Sequence, residues 1–411
     1  MTHDDIIVGL DIGTTKVCAI IGEYNENGML EITGVGTTPS KGLRRGVVIN
    51  IDSTVRSILT AIEAAEMMSG REVTDVYTGI AGGHIEGINS RGVVAVTGRN
   101  REITKEDIDR VIDAARAIVI PMDREVLHVI PQEFIVDDQG NIKNPLGMVG
   151  VRLEAEVHIV TGAVTSAQNI VRCVNKAGFR VNDIVLEPLA SSKAVLTEDE
   201  KELGTLLIDL GGGTTDILAY LEGAPYHTGV LSVGGDQVTN DLSIILRTPL
   251  ESAEKIKRTA GSCLVSMVEE DEEVTIPGVG GRPPTRIQRR KVVEIIQSRM
   301  AEILNLVKEQ IEKKGYLKLL GGGIVLTGGG SLLPGTAELA SEIFDSPARI
   351  GYPVKLGGMV EEYYNPIYAT GVGLVLYGAS RNSTEYFDTS TGESTFSSVW
   401  DRMRKWFKEF F

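Results

Sequence analysis

A strand that ends in an aspartate, followed by a turn of glycine and threonine, occurs twice in this chain and limits the folds open to it. The first copy is VGLDIGTTKVCAII, residues 8–21, and the second is LLIDLGGGTTDI, residues 206–217. In both copies apolar residues flank the turn, which predicts a β-hairpin with buried strands. Two hairpins of one design, about half a chain apart, indicate a duplicated α/β fold that holds a ligand between its halves.

The turns of these hairpins suit a phosphate, because glycine lets the backbone bend sharply and leaves its N–H groups bare. The predicted phosphate-binding residues are Gly13, Thr14, Thr15 and Lys16 in the first turn and Gly211, Gly212, Gly213, Thr214 and Thr215 in the second. Lys16 can bring a positive charge to a terminal phosphate; an exposed strand lysine is the alternative. Asp11 and Asp209, at the strand ends, are predicted to hold a Mg²⁺ through water, since Mg²⁺ keeps several of its own waters.

Three further groups of residues are predicted to bind the rest of a nucleotide. Gly234 and Gly235 open a helix, and a third glycine turn follows an apolar strand near residue 327. The residues of this third turn, which suit a backbone passing close to a base or ribose, are Gly328, Gly329, Gly330 and Ser331. Glu254 and Lys257 lie one helical turn apart and are predicted to meet the nucleoside; an ordinary ion pair between them is the alternative.

Length and charge exclude several classes of protein. A chain of 411 residues is too long for one core and predicts two or more domains. The net charge of −15, with no basic segment to offset it, argues against a nucleic-acid partner. The acidic start MTHDDIIVGL is unlike a signal peptide, and no apolar stretch is long enough to span a bilayer. The three cysteines are far apart, as expected of thiols in a reducing cytoplasm.

The spacing of apolar residues and of glycine and proline divides the chain into eight predicted segments. They are 1–83 and 163–203, the two parts of a first core domain; 84–162, a small α+β insert; 204–235 and 319–380, the core of a second domain; 236–318, its outer subdomain; 381–397, a flexible linker; and 398–411, an amphipathic helix. In the last segment the apolar residues fall on one arc of a helix and the charged residues on the other. The apolar arc, predicted to contact membrane lipid, contains Val399, Trp400, Met403, Trp406, Phe407, Phe410 and Phe411. A helix that packs on the core is the alternative.

The turn motifs LDIGTTK and IDLGGGTTD, with GGG at residues 328–330, resemble the phosphate clamps of the actin, Hsp70 and sugar-kinase superfamily. Further stretches, namely the insert at 84–160, LEPLASSKAVL, VGGDQVTNDL, GRPP, GIVLTGGGSLLPG and the amphipathic end, resemble the FtsA family of bacterial cell-division proteins in the same order. The fold that this implies is a duplicated actin-like, ribonuclease H-like ATPase fold with a small α+β insert in the first half and a C-terminal amphipathic helix.

The resemblance implies a function as well as a fold. The protein is expected to bind ATP and Mg²⁺, to polymerise, and to bind the C-terminal peptide of the tubulin homologue FtsZ, tying FtsZ filaments to the cytoplasmic face of the membrane at the division site. Glu187, at a strand-to-helix junction, is implied to position the attacking water; a helix-capping carboxylate is the alternative. Lys291 and Arg299 are candidates for the contact with FtsZ, against the alternative of solvated helix charges.

Two other classes from the same superfamily remain open at this point. A sugar or polyol kinase shares the LDIGTT opening, but it needs an acidic base in its sugar pocket, and no residue of the sequence identifies one. A pilus-assembly ATP-binding adaptor shares the fold, but it is expected to lack the amphipathic tail. The expected activity is therefore at most a slow ATPase and not a metabolic reaction.

Overall fold

The computed structural model describes residues 6–358 and 361–388, and these residues form three principal sheets with flanking helices. The strands are β1 (Ile6–Ile12), β2 (Lys16–Tyr24), β3 (Leu30–Pro39), β4 (Leu43–Arg44), β5 (Val47–Val48), β6 (Asp75–Ile80), β7 (Glu86–Ala95), β8 (Arg124–Val136), β9 (Gln139–Ile142), β10 (Arg152–Ala163), β11 (Arg180–Leu186), β12 (Thr205–Leu210), β13 (Thr215–Leu221), β14 (Ala224–Leu231), β15 (Glu273–Ile276), β16 (Thr285–Gln288), β17 (Ile324–Thr327) and β18 (Ala348–Ile350). The helices are α1 (Ile51–Ser69), α2 (Lys105–Arg116), α3 (Val164–Lys176), α4 (Glu187–Val195), α5 (Glu198–Leu203), α6 (Gly235–Leu246), α7 (Leu250–Ala260), α8 (Arg289–Lys314), α9 (Thr336–Phe344) and α10 (Ala369–Asp388).

Two of the sheets have the same topology, as the repeated hairpin predicts. The sheet of the first lobe has the order β3–β2–β1–β6–β11, and that of the second lobe has the order β14–β13–β12–β17–β18. In each sheet the central strand, β1 or β12, pairs antiparallel with its hairpin partner and parallel with the strand on its other side. The duplicated α/β fold is therefore confirmed, and the two glycine–threonine turns occupy equivalent positions in the two lobes.

The insert is an antiparallel sheet of order β7–β10–β8–β9 with α2 packed against it. The sequence predicts a helix from Lys105 to Val119 with a capping box of Thr104 and Asp107, and this box starts α2. The Thr104 hydroxyl accepts from the Asp107 backbone, and the Asp107 carboxylate accepts from the Thr104 backbone. The helix ends at Arg116 and not at Val119 as its apolar pattern predicted. The residues at 118–120 are β-branched and precede Pro121, and both features disfavour helical backbone.

Glycine and proline set the ends of several helices. The sequence predicts helices over Leu250–Ala260 and Arg289–Lys314, and α7 and α8 have these bounds: α7 follows Pro249, and α8 ends at Gly315, whose φ of 77° is left-handed.

For α1 the sequence predicts Asp52 or Ser53 as the capping residue and Gly70 as the stop, and the helix does end at Gly70, with φ 69°. Its start differs from the prediction, because Asn50 is the capping residue and not Asp52 or Ser53. The Asn50 side chain accepts a hydrogen bond of 2.9 Å from the Ser53 N–H.

In the described part of the chain three large apolar cores hold these layers together, one in each lobe and one in the insert, and a fourth, small cluster lies between β11, α4 and α10. In the second lobe α8 buries one stripe at helical spacing: Val292, Val293, Ile296, Met300, Ile303, Leu304, Val307 and Ile311. The first-lobe core also takes in Leu207, Leu218 and Val325 of the second-lobe sheet. The lobes are therefore joined by shared apolar contacts at their base, and the ends of β1 and β12 face one cleft.

The last described helix, α10, packs on α4 and β1 and continues to Asp388. It therefore extends into the predicted linker at 381–397, because a helix that has formed on a packed face adds further residues at little cost. The predicted membrane helix at 398–411, with all seven of its apolar residues, lies outside the described residues. None of the described helices is long and apolar enough to cross a bilayer.

Candidate functional site

The two glycine–threonine turns meet at the cleft between the lobes. Each is closed by one backbone hydrogen bond, from the Gly13 N–H to the Lys16 carbonyl at 2.9 Å and from the Gly211 N–H to the Thr214 carbonyl at 3.0 Å. A Cβ atom added to Gly212 would lie 1.8 Å from Thr15 Oγ1. The turns thus approach so closely that a side chain in the second turn would collide with the first.

The cleft between the turns has a volume of about 550 Å³ and is lined mostly by residues of the two turns, of α6 and α7, and of the segments before α9 and α10. The lining residues are Asp11, Gly13, Thr14, Thr15, Lys16, Glu187, Asp209, Gly211, Gly212, Gly213, Thr214, Asp216, Gly235, Asp236, Glu254, Lys257, Arg258, Met300, Gly328, Gly329, Gly330, Leu332, Leu333, Pro334, Asn365, Pro366, Ile367 and Thr370. The structure therefore brings together most of the residues that the sequence singled out. Three that it named, Thr215, Gly234 and Ser331, stand just behind this surface.

The start of α6 supports the second turn from behind. The Gly235 and Asp236 N–H groups donate to the carbonyls of Gly211 and Gly212 at 2.9 and 2.8 Å. A Cβ on Gly234 would lie 2.6 Å from the Gly211 carbonyl oxygen, so this position also requires glycine. The role of Gly234 is to let the helix approach the turn.

The third glycine turn closes the cleft on the side of β17. Gly328 has a φ of 79°, and a Cβ there would lie 2.3 Å from Asp209 Oδ1. Ser331 is buried, and its hydroxyl donates to the Gly328 carbonyl at 2.7 Å. Ser331 therefore shapes the turn, while the three glycines form the wall of the cleft.

The carboxyl groups of Asp11, Glu187, Asp209 and Asp216 converge on the cleft, with little positive charge to balance them. Burial raises the pKa of Asp209 to about 6; a hydrogen bond from Ser191 opposes this shift and the charge of Asp11 adds to it. Burial, and then the charge of Asp209, raises the pKa of Asp216 well above its ordinary value. The Asp216 Oδ1 atom is buried without a hydrogen-bond partner. A divalent cation would stabilise the ionised forms of such a cluster, so these carboxylates fit a metal.

Lys16 is the cation nearest to these carboxylates. Its Nζ lies 3.4 Å from Asp11 Oδ2, donates to the Ile367 carbonyl at 2.6 Å and stands 5.0 Å from the centre of the Tyr368 ring. About a quarter of the side chain is exposed. Lys16 thus lies in the cleft, between the first turn and the segment that precedes α10.

Glu254 and Lys257 form an ion pair and also line the cleft. Lys257 Nζ lies 2.7 Å from Glu254 Oε2 and donates to the Gly235 carbonyl at 3.0 Å and to Thr239 Oγ1 at 2.8 Å. Because Lys257 is only 9% exposed, its charge is committed to this pair and to the start of α6. The ion pair that the sequence offered as the alternative is therefore present in the structure. Both side chains still line the cleft, so the pair does not exclude contact with a ligand.

Glu187 starts α4 and projects into the cleft across Gly79 of β6. A Cβ on Gly79 would lie 2.8 Å from Glu187 Cγ, so the carboxyl needs the space that this glycine leaves. Burial raises the Glu187 pKa well above its ordinary value, with further contributions from Asp11 and Asp216. Glu187 also lies in the first turn of α4, where a carboxylate suits the helix N-terminus, although it makes no capping hydrogen bond there. The geometry is therefore compatible with both roles.

The sequence did not identify several residues of this site. Asp216 and Asp236 occur in the motifs IDLGGGTTDI and VGGDQVTNDL, where a polar residue beside a glycine turn was an available signal. Ser191 lies in the mostly apolar motif LEPLASSKAVL, which has no glycine and gives no such signal. Thr370 and the stretch from Asn365 to Ile367 reach the cleft only because α10 folds back onto the first lobe. No local pattern marks them.

Lys291 and Arg299 lie on α8, outside the cleft. Arg299 Nε donates to Asp241 Oδ2 at 2.6 Å, and Nη1 pairs with Glu302 at 2.5 Å. Lys291 is exposed in the first turn of the helix. Of the two, Lys291 is available to a partner without change, and Arg299 would have to exchange its intramolecular pairs.

Two family models match separate parts of the chain: the model of the cell division protein FtsA over residues 206–373, and that of the SHS2 domain inserted in FtsA over residues 82–161. The cell division protein FtsA of Pseudomonas aeruginosa is 48% identical over 407 residues, which cover 98% of this chain and 97% of that protein. The FtsA of Borreliella burgdorferi is 52% identical over 374 residues, 91% of each chain. The chain belongs to the FtsA family of cell-division proteins.

Solved structures extend this result to the fold. A PilM–PilN type IV pilus biogenesis complex matches with a TM-score of 0.65 at 17% identity, over 90% of this chain and 98% of that one. The ADP-bound MreB5 of Spiroplasma citri matches with a TM-score of 0.54 at 13% identity, over 95% and 100%. At these identities the likeness shows the actin-like fold alone. Membership of the FtsA family establishes that the chain is a cell-division protein. The alternative of a sugar kinase, which the LDIGTT motif left open, is therefore not favoured.

Proposed function

We propose that this member of the FtsA family binds ATP with Mg²⁺ in the cleft between its lobes, polymerises, and ties FtsZ filaments to the cytoplasmic face of the membrane at the division site. The observation that carries the nucleotide part is the meeting of two glycine–threonine turns above a group of buried carboxylates. The MreB5 of Spiroplasma citri, which has this fold, is bound to ADP in its structure, and this supports a nucleotide in the cleft.

The phosphates would lie between the two turns. The bare N–H group of Gly212 and the hydroxyls of Thr14 and Thr15 would be the donors that hold a phosphate chain. Lys16 adds a positive charge on the first-lobe side. Glu254 and Lys257 are proposed to contact the nucleoside, where the glycines at 328–330 leave room for it.

Asp11 and Asp209 are proposed to hold the metal through water. Among the described residues no group of three or more His, Cys, Asp or Glu side chains is arranged to bind a metal by itself. The pair of Asp11 and Asp209 suits Mg²⁺, which is held by one or two carboxylates together with water and phosphate oxygens. The bound ion would neutralise the charge of the phosphates and of the carboxylate cluster.

Glu187 is proposed to orient a water molecule near the terminal phosphate. Its buried, high-pKa carboxyl can donate or accept a hydrogen bond there, which is a modest means of activating a nucleophile. The activity that follows is at most a slow hydrolysis of ATP and not a metabolic reaction.

The tail at 398–411 is proposed to lie in the membrane interface. The stretch is too short to span a bilayer, and Trp and Phe on its apolar arc suit the headgroup boundary. Arg402, Arg404, Lys405 and Lys408 outnumber Asp401 and Glu409 by only two, so electrostatic attraction adds little. A single tail should bind weakly, and polymerisation would raise the affinity by linking many tails.

The test is sedimentation of the full chain with anionic liposomes, with and without FtsZ. We expect the parent to sediment with the liposomes and to carry FtsZ with it. Trp400→Glu or Trp406→Glu should abolish both effects, because each places a charge on the apolar arc. Ser394→Glu, which adds the same charge in the linker, is the matched control and should behave as the parent does.

A variant cut after Asp388 keeps α10 whole and should fail to sediment. The FtsZ arm is checked separately with Lys291→Glu, which should release FtsZ while the chain itself still sediments. The proposal is contradicted if the Trp variants bind liposomes as the parent does, or if FtsZ never accompanies the bound chain.

A further inference from the structure

Two buried hydroxyls of the first lobe contact one carboxylate of the second. Ser191 Oγ, on α4, donates to Asp209 Oδ2 at 2.7 Å, and Thr370 Oγ1, in the first turn of α10, donates to the same oxygen at 3.3 Å. The two hydroxyl oxygens are also 3.0 Å apart. Ser191 is fully buried and Thr370 is 9% exposed, so water competes little for these hydrogen bonds.

These contacts use only one of the two oxygens of Asp209. The other oxygen, Oδ1, lies next to Gly328, where any Cβ would come within 2.3 Å of it. With Oδ2 fixed by two donors and Oδ1 fitted against a glycine, the carboxylate has one orientation. An ionised carboxylate only accepts hydrogen bonds, so both hydroxyls serve it as donors.

The contacts also cross from one lobe to the other. Asp209 lies one residue before the end of β12 in the second lobe, while α4 and α10 pack on the sheet of the first lobe. The start of α10 falls in the segment 319–380 that the sequence assigned to the second domain, but its contacts are with the first lobe. Any opening of the cleft that moved β12 away from these helices would free Oδ2 and release the orientation of the carboxylate. The placement of Asp209 therefore depends on how the lobes stand to each other.

We infer that Ser191 and Thr370 are positioning residues that hold Asp209 in the orientation that binds the metal–nucleotide complex, and hold it only when the lobes are closed. This inference rests on the proposed binding of ATP and Mg²⁺. It assigns to the two hydroxyls a role in how the metal strengthens nucleotide binding, beyond a contribution to packing.

Ser192 offers a matched control in the next position of α4. It is as fully buried as Ser191 and also reaches the second lobe, through a hydrogen bond of 3.0 Å to the Tyr220 hydroxyl. Its other bond is to the Leu189 carbonyl at 2.8 Å. Ser192→Ala thus removes a buried hydroxyl between the lobes without touching Asp209.

The experiment is calorimetric titration of the full chain with ATP, once with Mg²⁺ and once with EDTA. The measured quantity is the affinity for ATP with Mg²⁺ divided by the affinity for ATP with EDTA. Ser191→Ala and Thr370→Val should each lower this ratio about tenfold, the effect of losing a hydrogen bond to a charged group. Thr370→Ser should restore the ratio lost in Thr370→Val, and Ser192→Ala should keep the ratio of the parent.

The outcomes separate this inference from the proposed function. If the parent binds ATP equally with and without Mg²⁺, or does not bind it, the proposed function fails and the inference fails with it. If the parent shows the metal effect but Ser191→Ala and Thr370→Val keep its ratio, the inference alone is overturned. It is overturned equally if affinity falls by the same factor in Mg²⁺ and EDTA, because the hydroxyls then serve only to join the lobes.

Discussion

At the scale of single residues, Gly212 and Gly213 determine how closely the two turns approach. A Cβ on Gly213 would lie 2.6 Å from Thr14 Oγ1, and one on Gly212 would lie even closer to Thr15. Neither glycine has a positive φ. The reason for glycine here is therefore the space between the lobes and not the backbone conformation of the turn.

Gly212→Ala is expected to push the turns apart and to weaken the binding of ATP with Mg²⁺ by about 5- to 150-fold, on the order of 1–3 kcal/mol for an overpacked contact. Calorimetry measures the affinity, and thermal unfolding of the free protein checks the fold. Gly140→Ala is the control, because its Cβ would meet the end of the Glu133 side chain at 3.3 Å and Ile135 Cγ1 at 3.8 Å, with no backbone atom in the way. Equal affinities for Gly212→Ala and the parent would show that the turns do not share a phosphate.

The residues of the site divide into those that local sequence predicts and those that it does not. Gly211 to Thr215 could be predicted because a run of glycines between two apolar strands is typical of a tight turn that can hold a phosphate. Ser191 and Thr370 could not, since a serine in an apolar helix and a threonine at a helix start are common. Their importance arises only from the packing of α4 and α10 against β12, which brings both hydroxyls to Asp209.

At the scale of elements, a layer of polar side chains joins the insert to the edge strand β14 of the second lobe. His158 of β10 is 1% exposed, with Nδ1 2.5 Å from Asn89 Oδ1 and Nε2 3.0 Å from Thr228 Oγ1. Gln132 of β8 donates to the Pro225 carbonyl at 2.8 Å. These hydrogen bonds hold the insert against the second lobe, and His158 takes part in them.

Burial lowers the pKa of His158 to about 3, with further contributions from His227, His128 and Lys314. Because this pKa is below the pKa of about 6.5 that histidine has in the unfolded chain, the unfolded chain binds the proton more readily. The contribution of neutral His158 to the unfolding free energy is complete above about pH 6.5 and is lost as the pH falls. Between pH 8 and pH 5 this residue should account for roughly 2 kcal/mol of lost unfolding free energy.

Urea unfolding at the two pH values measures this loss. His158→Asn has no group to titrate, so its unfolding free energy should fall by about 2 kcal/mol less than that of the parent over the same range. The variant will be less stable at pH 8, but only the pH dependence is compared. The same pH dependence in both proteins would mean that His158 is not buried in its neutral form.

Elements differ in how far the sequence predicts them. α7 and α8 have the predicted bounds because Pro249 and Gly315 stop alternative backbone paths at their ends. The short elements β4, β5, α5 and β18 carry too few residues for a periodic pattern. α10 is longer than predicted, since its start packs on the first lobe and polar residues beyond Arg381 continue the helix.

At the scale of the whole molecule, the net charge of the chain opposes the membrane binding proposed for the tail at 398–411. With a net charge of −15, the chain as a whole is repelled by an anionic membrane. The apolar arc of the proposed tail must overcome this repulsion, which one short helix does only weakly. Attachment that depends on many linked copies would then report the assembled state of the protein, and the nucleotide cleft is the place where that state would be controlled.

The central claim is that the cleft holds ATP through a metal anchored on Asp209, and calorimetric titration of Asp209→Ala tests it most directly. The control is Asp138→Ala, which removes a fully exposed carboxylate paired with Arg152 at 3.2 Å. We predict that the parent and the control bind ATP with Mg²⁺ alike and that Asp209→Ala binds at least tenfold more weakly, a loss of about 1.4 kcal/mol or more. An unchanged affinity in Asp209→Ala would contradict the account.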